Sequence, residues 1–305
     1  MSAVPDDPVG IFRAFEREAT PTAAAVILGV ELRKLRGELP AKVAAKAIGA
    51  SVSKISRLER AESPPDIRDV RDLADRYGAD AGTREALEQL AIRAREPEWF
   101  QPHFNDCTAH WLRRLFGLEA LATDLMTYES GVVSGLLQTS EYAREIIRTG
   151  LHAREHDEVE RRVQLRKERQ LRVFDQATPP RTVVLMDQAV LRRRAGSDQV
   201  MAGQMLKLLE MSDRPGVSIR FVKEDSALAA NAASAGSGSM THLKFGVGGP
   251  PTIVYLEGYE EASYRTKEDD LERHVQLLLR LSGEAAASTA ESREMVVEAL
   301  GRFTP

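Results

Sequence analysis

The sequence predicts two domains of different class: an all-α, repressor-like helix-turn-helix domain, then a larger α+β domain with a small mixed sheet. Three observations carry this. Pro40 to Glu59, PAKVAAKAIGASVSKISRLE, reads as two short helices hinged at a glycine. Helical periodicity stops at Pro97, where Trp99, Phe100 and Phe104 cluster. Beyond that point, short β-branched or aromatic runs bounded by Gly or Pro alternate with helical stretches. A chain of 305 residues is long enough for two cores. The expected division is an extension over 1–22, a helix-turn-helix domain over 23–96 and an α+β domain over 97–305.

Ile11, Phe12 and Phe15 would share one face of a short helix between Pro8 and Ala19. Ala23 to Arg36 is the first helix of the DNA-binding domain, with Ile27, Val30, Leu32 and Leu35 apolar and Gly37 as its stop. In the motif, Ala45 is small where the two helices cross, and Gly49 permits the positive φ of the turn. Ala44, Ile48, Ile55 and Leu58 form the seam, and Ser51 caps the second helix. Ser53, Lys54, Ser56, Arg57 and Arg60 fall mostly on the opposite face, which suits a major groove. Between Arg33 and Arg60, eight cations (Arg33, Lys34, Arg36, Lys42, Lys46, Lys54, Arg57, Arg60) face only Glu38 and Glu59, in a chain of net charge −4. A polyanionic partner explains such local excess better than solubility does. Asp66 should cap a helix over Ile67, Val70, Leu73, Ala74 and Tyr77, and Thr83 a fifth with Leu87, Leu90 and Ala94 inward.

In the second domain helices are expected around Asp106 to Phe116, from Leu118, over Leu125 to Glu129, up to Thr149, over Asp157 to Asp175, Gln199 to Met211, Lys267 to Leu281 and Glu291 to Leu300. Strands are expected over Thr182 to Met186, Val217 to Val222, Thr241 to Phe245 and Thr252 to Leu256. The Ala, Ser and Gly tract from Ser226 to Ser239 reads as a mobile loop.

Gly49, Ser51, Ser53, Lys54, Ile55, Ser56, Arg57 and Glu59, with Leu58, resemble the helix-turn-helix motif of the Cro and phage-repressor (Xre) class, and more closely a group of actinobacterial regulators related to WhiJ. Three positions depart from that pattern. Pro40 and Ala41 replace the usual threonine and glutamine, and Val52 replaces a glutamine that would read adenine but can itself touch a thymine methyl. Further on, Thr127, Tyr128, Glu129, Gly135, Leu136, Leu137, Gln138, Thr139, Tyr142, Ala143, Arg161, Arg162, Val163, Arg166, Val254, Tyr255, Glu257 and Gly258 continue the resemblance. It implies a sensor or partner-binding module and a small acidic protein encoded nearby, as in toxin and antitoxin pairs.

Other constellations are weaker. His103, Cys107 and His110 have helical spacing for a zinc site, but chance explains them better. The charges between Asp157 and Arg172 alternate in sign at three and four residues, as on a solvated helix, and Arg192, Arg193 and Arg194 read as a solvated turn. Gly246, Gly248 and Gly249 lead into a strand and look like a hairpin connection, so no phosphate-cradling loop is evident, nor a nucleophilic serine motif. Composition, 43% hydrophobic and 29% charged, is ordinary globular. No apolar run would span a bilayer, and one cysteine, Cys107, fits a reducing compartment.

The expectation is therefore a cytoplasmic, non-enzymatic transcriptional regulator without cofactor or bound metal, working as a homodimer on double-stranded DNA. Lys42, Ser51, Val52, Ser53, Lys54, Arg57 and Arg60 would meet the DNA. Tyr128, Glu129, Gln138, Thr139 and Tyr142 would form a site for a small-molecule effector or small acidic partner. The alternative is an antitoxin-like interaction protein whose DNA binding is autoregulatory.

Overall fold

The computed structural model describes residues 20–150, 156–234, 239–247, 249–258 and 261–304. It divides into two compact units, one running to Pro102 and taking in Phe245–Pro251, the other formed by His103–Lys244 with Thr252–Pro305. The helix expected between Pro8 and Ala19 lies outside the described residues.

The first unit is helical. α1 (Pro21–Arg36) starts on Thr20, whose hydroxyl accepts from the Ala23 amide, and stops at Gly37 with φ 52°. α2 (Ala41–Ala47) and α3 (Val52–Glu59) are joined through Gly49 at φ 62°, a left-handed conformation that disfavours any side chain. Ser51 accepts from the Lys54 amide at 3.2 Å and caps α3. α4 (Ile67–Arg76) is capped by Asp66, which accepts from Arg68 and Asp69 amides and is held below the ordinary carboxylate range by those bonds. The cap of α5 (Ala81–Arg93) is Asp80, not Thr83. Asp80 takes both the Thr83 amide and the Thr83 hydroxyl, so the helix begins three residues earlier than the hydroxyl suggests.

Ala44, Ala45, Ile55 and Leu58 are buried as the motif requires, and Ile48 is half-buried. Two features fix α3 against α1. A Cβ on Gly29 would stand 2.6 Å from the Glu59 carbonyl oxygen, so the backbones touch directly. Arg36 then grips the Glu59 carboxylate with two bonds of 2.6 and 3.0 Å and donates to the Leu39 carbonyl.

The second unit is built on one mixed six-stranded sheet of order β3-β2-β1-β4-β5-β6. β1 is Ala122–Glu129, β2 Arg181–Asp187, β3 Val217–Val222, β4 Ser239–Phe245, β5 Ile253–Glu257 and β6 Ala262–Arg265. β1, β2 and β3 are parallel, and β4, β5 and β6 antiparallel. Leu125 to Glu129 is thus strand and not helix: it pairs in parallel with β2 and lies next to β4 in the sheet, Leu125, Thr127 and Tyr128 are buried, and no Gly or Pro marks the run's ends. β6 is a further strand that the sequence does not predict. The tract from Ser226 is not wholly loop either. Ala227–Ser234 forms a helix, as its alanines favour, and 235–238 lie outside the described residues.

Helices follow and intervene between the strands. α6 (Gln101–Phe104) and α7 (His110–Glu119) come first, then α8 (Ser140–Gly150), α9 (His156–Phe174), α10 (Asp198–Ser212), the alanine-rich α11 (Ala227–Ser234), α12 (Glu268–Arg280) and α13 (Thr289–Phe303). α10 and α13 pack on each other and on β3, α12 on β5 and β1, and α7 on β1 and β6. One sheet face is a dry core of Tyr128, Leu185, Val222, Met240, Val254 and Leu278. Strand side chains alternate in direction, so the intervening residues of β1, β4 and β5 face the other way. No helix among the described residues is long and apolar enough to cross a membrane.

Candidate functional site

In the first unit the candidate site is the outer face of α3. Ile55 and Leu58 point inward, while Ser51, Val52, Ser53, Lys54, Arg57 and Arg60 are exposed, as is Lys42 on α2. The amphipathic period of the sequence produces this division directly. The cations are not equally free. Arg36 is locked onto Glu59, with 15% and 8% of the two side chains exposed, and belongs to the scaffold. Arg60 pairs with Glu62 at 2.7 Å, and Lys54 pairs with Asp69. Arg57, Lys42 and Lys46 have no ion pair with any described residue.

The candidate site of the second unit is a cavity of about 560 Å³ on the other face of the sheet. Its floor is the alternate set of strand residues: Thr127 and Glu129 on β1, Ser239 and Thr241 on β4, Tyr255 and Glu257 on β5. The hydroxyls of Thr127 and Thr241 bond across the strands at 3.0 Å. α9 forms one wall with Arg162, Leu165, Arg166 and Arg169, and α7 an apolar one with Trp111, Leu112, Leu115 and Phe116. The loop from Ser130 to Gln138 closes the remaining side. Gln170 holds that loop through the carbonyls of Gly135 and Gln138 at 2.8 and 2.9 Å. Gly135 lies against the arginines, and a Cβ there would be 3.2 Å from Arg169 Nη1.

Burial sets the electrostatics. Arg169 makes a bidentate pair with the buried Glu119 at 2.7 and 2.6 Å, and its guanidinium lies 4.8 Å from the Phe116 ring centre. Glu129 is pushed up to about 8 by burial and by the nearby Glu257, against the opposing pull of a Ser239 hydrogen bond and of Arg169 and Arg166. Glu257 is likewise raised by burial, although Arg169 opposes it. Arg166 is drawn down to about 10 by burial and by Arg169.

Of the five residues expected to form an effector site, only Glu129 and Gln138 line the cavity. Tyr128 sits one strand position from Glu129 and so points into the dry core on the opposite face. Thr139 caps α8, its hydroxyl accepting from the Tyr142 amide at 3.2 Å, and its own amide donates to Gln204. The buried Tyr142 hydroxyl accepts from the Val133 amide. Arg162 and Arg166, which continue the resemblance in the sequence, line the cavity together with Arg169, and the spacing i, i+4, i+7 puts the three guanidinium groups on one helix face. The reading of that face as solvated is corrected by the cavity. Glu119, Thr241 and Trp111 left no sequence signal of their own.

His103, Cys107 and His110 do not share a helix, since α6 ends at Phe104 and α7 begins at His110. No group of three or more His, Cys, Asp or Glu among the described residues could hold a metal ion. Arg192 pairs with Glu224, Arg194 with Asp198, and Arg193 donates to the carbonyls of Ser130 and Gly131.

A capped, solvent-facing α3 packed on α1 and α2 defines a helix-turn-helix protein, and residues 27–87 match the family described as helix-turn-helix domain. That match supports a DNA-binding regulator. Residues 112–298, more than half of the chain, match the family described as domain of unknown function (DUF5753), and the chain belongs to that family. No curated protein and no solved structure matches it.

Proposed function

We propose that the chain is a sequence-specific transcriptional regulator of the Xre class, related to the actinobacterial WhiJ group, whose C-terminal domain binds a small effector that controls it. The observation that carries the DNA-reading part is the exposed face of α3, where Ser53, Lys54 and Arg57 stand outward from a buried Ile55 and Leu58. Short hydroxyl side chains beside long cations are what base edges and phosphates require. One such helix makes too few contacts for tight binding at cellular salt, so the working form is a homodimer on half-sites about 34 Å apart. The protein acts in the cytoplasm, by binding and without catalysis. A small-molecule effector is favoured over a protein partner by the second domain's cavity, which falls within the roughly 300–1,000 Å³ of small-molecule sites.

The test is a gel shift at moderate salt on sites obtained by random-site selection. The double variant Lys54→Ala, Arg57→Ala should lose specific binding. Wild-type affinity in that variant would overturn the assignment of α3.

A further inference from the structure

Charge in the cavity is not balanced. Three guanidinium groups of α9 line it, and two are neutralised: Arg169 by Glu119 and Arg162 by Glu158 at 3.0 and 2.6 Å. Arg166 is different. Its Nη1 donates to the amide oxygen of Gln138, whose own amide donates to the Val133 carbonyl at 2.6 Å, and it forms no salt bridge with any described residue. A half-buried guanidinium whose hydrogen bond goes to a neutral amide has lost part of its water without gaining an ion pair, which is costly unless something else supplies a counter-ion.

The nearest acids, Glu129 and Glu257, lie within Coulombic reach of Arg166 but form no salt bridge with it. Glu129 and Glu257 are both raised, and Glu129, at about 8, keeps its proton near neutral pH. In that form it donates a hydrogen bond. Cation and neutral acid therefore converge on one end of the cavity, while Trp111, Leu112, Leu115 and Ile146 make its other side apolar.

We propose that this cavity binds a small amphipathic carboxylate, its anionic group seated on Arg166 and bonded by Glu129, its apolar body against Trp111, Leu112 and Ile146. One unpaired cation matches a single negative charge better than a phosphate dianion. The proposal rests on reading the C-terminal domain as the effector domain, and it names the chemistry of the effector.

Protonation of Glu129 couples binding to pH. The groups facing Glu129 are Glu257 on β5, Ser239 on β4 and Arg166 and Arg169 on α9. Once ionised, Glu129 repels the bound carboxylate, so affinity falls as pH rises through about 8.

The experiment is calorimetric titration of the full chain with alkyl and arylalkyl carboxylates, represented by octanoate and 3-phenylpropionate, against octanamide, octylamine and octyl phosphate. The carboxylates should bind at least tenfold more tightly than the amide, amine or phosphate. Arg166→Met should lose at least tenfold in affinity and Arg166→Lys recover part of it, while Glu129→Gln should flatten the pH dependence. Saturation by no carboxylate at millimolar concentration, equal or tighter binding of the amine, or unchanged octanoate binding in Arg166→Met would overturn the proposal. The ligand comparison uses the wild-type chain, so it decides the matter even if Arg166→Met fails to fold. Gel shifts on the same samples separate the two readings. Carboxylate binding that leaves DNA affinity unchanged removes the control reading and keeps the site, whereas a DNA response to another compound in the absence of carboxylate binding does the reverse.

Discussion

Gly29 and the Glu59 carbonyl oxygen are so close that a Cβ on the glycine would stand 2.6 Å from the oxygen, with the Leu58 carbonyl oxygen at 2.8 Å. Both obstacles are backbone, so neither can swing aside. Alanine in mid-helix normally gains about 1 kcal/mol over glycine. Here overpacking of roughly 1–3 kcal/mol opposes that gain, and α3 must shift. Gly29→Ala should lower the midpoint of urea unfolding and weaken DNA binding together; an unchanged or raised midpoint would show that the helices yield without cost.

The Arg36 and Glu59 pair holds the same junction. Its groups are mostly withdrawn from water and bonded twice, so Arg36→Ala should cost roughly 1.5–3 kcal/mol, the range for hydrogen bonds to charged groups. The measurement is chemical denaturation of the variant. If Arg36 instead met DNA, its loss would reduce affinity and leave the unfolding midpoint in place.

Arg57→Ala should weaken specific binding by roughly 1–3 kcal/mol, and Lys54→Ala by less. Lys54 is shared with Asp69, whereas Arg57 has no competing ion pair among the described residues. Lys42→Ala should weaken all sequences alike and reduce the salt slope by about one unit. Titrations at several salt concentrations distinguish the three.

Val52 is 46% exposed at the first turn of α3. Val52→Gln should therefore move the preferred base at one position per half-site towards adenine with little change in stability. Random-site selection on both proteins reads this out, and identical consensus sites would place Val52 away from the bases.

Glu129 makes stability depend on pH. Its folded value, about 8, lies above the ordinary 4.5. Between those values the unfolded chain releases a proton that the folded one keeps, so stability falls as pH rises through this window and levels off above it. Glu129→Gln has no such proton. Its thermal midpoint relative to wild type should climb from pH 5 to pH 8, and a constant difference would mean that Glu129 is ionised throughout.

The helical domain was largely legible because its signals are local. Ser51, Asp66, Gly37 and Gly49 act within one turn of where they stand, and the structure uses each at its expected place. Asp80 and Thr83 are both good caps, and only geometry chooses between them. In the second domain the long helices and four strands were legible. β1 was not, since burial on both faces removes the alternation that marks a strand, and β6 spans only four residues. The cavity was the least legible part. Arg169 and Glu119 are fifty positions apart and meet only through the fold, and the Thr127 to Thr241 bond spans 114 positions.

The alternation along β1, β4 and β5 separates two kinds of constraint within the same strands. Tyr128, Met240 and Val254 answer to the dry core, while Thr127, Thr241 and Tyr255 answer to whatever enters the cavity. Substitutions at the second set can alter the size and polarity of the accepted molecule without disturbing the packing of the first. Related chains could therefore diverge in what they sense while keeping one sheet, and a designer could retune the receptor by editing every other residue of three strands.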